Sequence, residues 1–90
     1  MATLGIKIKI MPESLDTDLE AIKVKAKEMI EAKKGRVSSF EEQEIAFGLK
    51  ALIATIVWPE EQDSDIVQNT FNSVPGVSST EVLDVRRVIG

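Results

Sequence analysis

Residues 36–59 read RVSSFEEQEIAFGLKALIATIVWP, and the way this stretch divides decides the fold. Glu41, Glu42 and Glu44 make its first half acidic. That suits an exposed edge strand from Arg36 to Phe47, because charge along an edge discourages pairing with another edge. Gly48 breaks the pattern. Leu49 to Trp58 is then almost continuously apolar, as expected of a strand at a central position. Pro59 closes it, since proline has no amide proton to give to a ladder. The stretch is therefore two strands that meet at Phe47-Gly48, one at the edge of a sheet and one inside it.

Upstream, Leu4, Ile6, Ile8 and Ile10 alternate with Gly5, Lys7 and Lys9. This period of two marks a strand with one buried and one wet face, ended by Pro12. A helix follows. Ser14 and Asp16 are candidate N-caps, and Asp16, Asp18 and Glu20 crowd the first turn, where the helix dipole favours anions. Leu15, Leu19, Ile22, Ala26, Met29 and Ile30 form one apolar stripe. Lys33 and Lys34 occupy the last turn, and Gly35 is expected to take the left-handed conformation that stops the helix. Downstream, the polar segment Glu60–Asp65 leads into a short helix from about Ser64 to Ser73, capped by Asp63 or Ser64. Its inner stripe is Ile66, Thr70, Phe71 and Val74. Pro75-Gly76 is a turn, and Val77 to Ile89 is the last strand. The order β-α-β-β-α-β over one domain, residues 1–90, predicts the ferredoxin-like α+β sandwich. In that fold a four-stranded antiparallel sheet carries both helices on one face. Its first and third strands are central, and these are the two most apolar here.

Composition narrows the chemistry. The 90 residues include no cysteine and no histidine, which removes disulfides, zinc-finger spacings, thiol nucleophiles and imidazole bases. The lack of cysteine fits a reducing cytoplasm. No run approaches the roughly 20 apolar residues of a membrane span, and the N-terminus does not read as a signal peptide. Residues 1–36 carry eight Lys/Arg against six Asp/Glu, whereas residues 37–65 carry seven acids against Lys50 alone. An acidic middle edge argues against RNA or DNA as the main partner. So do the aromatics: Phe71 is on a helix, and Phe40, Phe47 and Trp58 lack the paired stacking signature of an RNA-binding sheet. The chain has neither GxxxxGK[ST] nor GxGxxG. Asp16, Asp18 and Glu20 lack the glycine and distal glutamate of a calcium loop and read as helix-end charges. Glu60, Glu61, Asp63 and Asp65 read as a solvated loop. No catalytic constellation emerges, and no metal or cofactor is expected.

Three segments carry a resemblance. They are Ile10-Met11-Pro12-Glu13-Ser14, the run from Ile45 through Phe47-Gly48 to Leu52, and Gly76-Val77-Ser78 with Asp84-Val85-Arg86-Arg87. In this order and spacing the chain resembles archaeal translation elongation factor 1-beta, the guanine-nucleotide exchange factor family of elongation factor 1-alpha. The likeness runs from about Ile6 to Ile89. It implies the ferredoxin-like fold and an exchange factor that makes and breaks no covalent bond. Its partner would be a GTPase in the cytoplasm, with no direct nucleic acid or membrane contact, and the free chain would be a monomer. Eukaryotic relatives carry this domain at the end of a longer chain, and the extra region they use to join larger complexes is expected to be lacking here. In those relatives a phenylalanine-glycine turn and a lysine close to the C-terminus matter for exchange. The first matches Phe47-Gly48, followed by Lys50. The second is best matched by Arg87, with Arg86 as the rival. A cation near a Mg²⁺ position competes with the ion and with the lysine of the phosphate loop. The competing reading is a small-molecule-sensing regulatory module on the same fold, dimerising by sheet extension.

Overall fold

A computed structural model describes residues 2–46 and 48–89. Its elements run β1 (Ala2–Pro12), α1 (Leu19–Ala32), β2 (Arg36–Ala46), β3 (Leu49–Pro59), α2 (Asp65–Asn72) and β4 (Val77–Ile89). The strands lie in the order β2-β3-β1-β4, and every neighbouring pair is antiparallel. The two apolar strands are thus central and the acidic strand is at an edge, as the composition of each required.

Strand parity decides which side the helices cover. Ile6, Ile8 and Ile10 of β1 share a core with Leu52, Ala54, Ile56 and Trp58 of β3. Ile22, Ala26 and Ile30 of α1 and Val67 and Phe71 of α2 close over them. Fully burying each large aliphatic side chain contributes about 1.5–3 kcal/mol, so this single layer holds both helices to one face. The opposite parity of β1, with Gly5, Lys7 and Lys9, faces away from the helices.

Both ends of α1 differ from the expectation. The N-cap is Asp18, not Ser14 or Asp16: its carboxylate accepts from the amides of Glu20 and Ala21 at 3.0 and 3.3 Å. Leu15 therefore precedes the helix and is not part of its apolar stripe; it is 65% exposed. At the other end the left-handed residue is Lys34, with φ 70°, and not Gly35. The amides of Lys34 and Gly35 donate back to the carbonyls of Glu31 and Ile30 at 3.1 and 3.0 Å, which is the paired closure of a Schellman cap. Gly35 is needed for a different reason. A Cβ there would stand 2.5 Å from Cε3 of Trp58. The helix end is pressed against a fully buried indole, and only a residue without a side chain fits between them.

In α2, Ser64 holds the cap position but makes no side-chain cap bond. The Asp63 carboxylate instead accepts from the amide of Asp65 at 2.9 Å. The buried stripe is Val67, Thr70 and Phe71 followed by Val74, while Ile66 is only partly covered. Thr70 satisfies its hydroxyl by donating to the Ile66 carbonyl at 2.7 Å.

Candidate partner-binding site

Antiparallel order separates the residues that the sequence grouped. Arg86 lies opposite Gly5 and Arg87 opposite Leu4, near the start of β1. Leu52 lies opposite Ile10, and Lys50 is two residues beyond it, at the far end of β1. Seven strand residues at about 3.3 Å each put roughly 23 Å between the two groups. The whole molecule is 42 Å long, so the candidate residues occupy its two ends. Phe47 lies outside the described residues.

At one end stands the connection between β2 and β3. Gly48 has φ 80°, and an added Cβ would meet nothing within 4 Å. The glycine is therefore required by the backbone and not by crowding. Lys50 shares the helix-side parity of Leu52 and points its ammonium toward Glu42, at 3.8 Å. Glu42 is shared: Lys23 of α1 reaches it at 3.4 Å and also bonds Glu20 at 3.1 Å. The Glu20 carboxylate, helped by Glu42 and opposed by partial burial, raises the Lys23 ammonium above the usual lysine range. This chain of charges braces Lys50 from behind while leaving it half exposed.

The arginines make the other end. Their neighbours put them on opposite sides of β4: Gly5 faces away from the helices, whereas Leu4 packs against the core. The Arg86 Nε donates to Asp84 of its own strand at 2.7 Å, and the Arg87 Nε reaches Glu60, just past β3, at 3.3 Å. Both guanidinium groups remain well exposed. Surface pairs of this kind are worth about 0–1 kcal/mol, so a stronger anion displaces either carboxylate at little cost.

Three residues enter the site that the sequence did not mark for it. Leu15 is one, because the helix begins later than expected. Glu42 and Glu60 are the others, each holding one of the candidate cations. The signal for both was sign complementarity, between β2 and β3 for Glu42 and between β4 and the residue after β3 for Glu60, and it becomes usable only when the strand order is known. Asp18 and Glu20 are occupied with α1 as helix-end charges. Among the described residues no three acidic side chains gather as a metal site, and no helix is long and apolar enough to cross a membrane.

Comparison with known proteins bears on what these two ends do. Residues 5–88 match the EF-1 guanine nucleotide exchange domain. The elongation factor 1-beta of Methanosarcina acetivorans is 45% identical over 89 residues, spanning 98% of this chain and 100% of that protein. Its Methanosarcina barkeri counterpart is 46% identical over the same shares. The elongation factor 1-beta of Methanothermobacter thermautotrophicus is 40% identical over 90 residues, 99% of this chain and 100% of that protein. These matches set the chain among exchange factors and apart from the small-molecule-sensing modules that use the same fold. The chain belongs to the EF-1 guanine nucleotide exchange domain family, translation elongation factors that act as nucleotide-exchange factors.

Proposed function

We propose that the chain, as one exchange domain over residues 1–90 and as a monomer when free, accelerates replacement of GDP by GTP on elongation factor 1-alpha in the cytoplasm. The arginine end perturbs the Mg²⁺ and phosphate site, while the Gly48–Lys50 end, with Phe47, holds the GTPase. The reading is supported most by the roughly 23 Å between the two groups. A rigid sheet with contacts at both ends fixes a cation at a set distance from its foothold, and positioning is what a noncovalent exchange factor has to supply. Arg87 and Arg86 are the two candidates for that cation. No bond is made or broken, no cofactor takes part, and neither nucleic acid nor membrane is a direct partner.

The energetics are those of linkage. A factor that weakens GDP binding by some ratio is itself weakened by GDP in the same ratio. A cation near the Mg²⁺ position supplies that coupling, because it competes with the ion for the same phosphate field. Release of fluorescent GDP from elongation factor 1-alpha tests the reading. Acceleration at micromolar factor is the expected result, and its absence removes the proposal. Arg87→Ala and Arg86→Ala then separate the two arginines. If both variants keep full activity, neither carries a cationic role.

A further inference from the structure

We propose that Leu15 is a partner-contacting residue that anchors the GTPase at the Gly48–Lys50 end. The proposal rests on the exchange reading above and adds to it a residue and a surface. Leu15 is 65% exposed, more than any other large apolar side chain among the described residues. Its backbone is nonetheless tied down. The Ser14 amide donates to Thr17 Oγ1 at 3.1 Å, the Asp16 amide to Ser14 Oγ at 3.3 Å, and the Thr17 amide to the Ser14 carbonyl at 3.3 Å. At the base of this turn the Glu13 amide donates to the Gly76 carbonyl at 2.9 Å. An apolar side chain held out on a closed turn has little backbone freedom left to lose when a partner covers it.

A single exposed leucine is ordinary on a protein surface. What distinguishes Leu15 is the company it keeps. Ser14, Leu15 and Thr17 line one side of a cavity of about 230 Å³, and Gly48, Leu49 and Lys50 line the other. Leu15 thus opens on the same hollow as two of the residues tied to partner binding by resemblance. Walls that mix Leu15, Leu19 and Leu49 with the hydroxyl-bearing Ser14 and Thr17, with Lys50 among them, fit an apolar side chain of the GTPase that has a carboxylate beside it. Anchors of this kind set affinity, whereas the arginine end sets the effect on nucleotide.

That division makes the test specific. Fluorescent-GDP release from elongation factor 1-alpha is measured while the factor is titrated, with Leu15→Ser, Leu15→Met and Val24→Ser beside the unchanged chain. Val24 is the matched control: it is 62% exposed on α1, but it lines a different hollow, with Glu20 and Pro75. Leu15→Ser is expected to raise the half-saturating concentration about tenfold while leaving the maximal rate and the melting temperature unchanged. Leu15→Met should restore most of the affinity, and Val24→Ser should change neither quantity. Retention of wild-type half-saturation by Leu15→Ser overturns the anchor and leaves the exchange reading standing. An equal loss in Val24→Ser also overturns it. If the unchanged chain fails to accelerate release, the exchange reading falls and the anchor falls with it.

Discussion

The two ends of this molecule are built by different means. The Gly48–Lys50 end is shaped by backbone: a left-handed glycine, a turn that hydrogen-bonds to itself, and an exposed leucine over a hollow. The arginine end is shaped by charge, two guanidinium groups on β4 held by Asp84 of the same strand and by Glu60, just past β3. Contacts made through apolar surface tolerate salt, while those made through exposed charge weaken within a Debye length of about 8 Å at physiological ionic strength. One end is thus suited to grip and the other to act on an anionic site, and the sheet between them keeps the spacing.

The largest effect should come from loosening the frame under the arginine end. Gly35→Ala puts a methyl 2.5 Å from the Trp58 ring, and overpacking of a fixed core costs roughly 1–3 kcal/mol. A urea midpoint that falls by the corresponding amount is expected; an unchanged midpoint would show that helix and indole can separate freely. Next in size is the contrast between the ends. Phe47→Ala should raise the half-saturating factor concentration about tenfold with a smaller change in folding stability, and Arg87→Ala should mainly lower the maximal rate. A Phe47→Ala chain that unfolds in parallel with its loss of exchange would return this residue to a structural role. Raising salt should shrink the arginine loss and leave the Phe47 loss unchanged.

Smaller still is a gain. Lys34 occupies a left-handed conformation that glycine adopts without penalty, so Lys34→Gly should stabilise the fold by about 1 kcal/mol in chemical denaturation. No gain, or a loss, would mean that the Lys34 side chain contributes there. The smallest effect concerns Lys23. Its raised proton affinity means that its stabilising contribution is complete below the ordinary lysine range and is lost as pH rises through the raised value. Lys23→Met should therefore cost about 0.5 kcal/mol near neutrality, and the difference from the unchanged chain should vanish only in strong alkali. A difference that disappears below pH 9 contradicts the assignment.

Much of the fold was legible because its signals are local. Period two in Leu4 to Ile10 and the apolar run from Leu49 to Trp58 name the central strands directly, and the acids of residues 41–44 name an edge. The helix start was not legible, because Ser14, Asp16 and Asp18 all have capping chemistry within five residues. Only the hydrogen bonds chose among them. Gly35 carried a correct signal for the end of α1 but the wrong reason, since the indole it accommodates is distant in sequence. At the candidate site, the residue types at Gly48, Lys50, Arg86 and Arg87 were readable, while their division between two ends follows from strand order and from no motif. Leu15 was misassigned by the same ambiguity that hid Asp18.

Trp58 is the only tryptophan in a chain without tyrosine, and its ring is fully buried with an indole N–H that meets no acceptor among the described residues. Its emission should therefore be blue, as in an apolar medium, and should shift red in one step when the helices leave the sheet. Because the ring contacts no solvent, docking of a partner at either end should leave that colour unchanged. The protein thus carries its own optical gauge of integrity, one that separates a variant that cannot fold from one that folds and cannot bind.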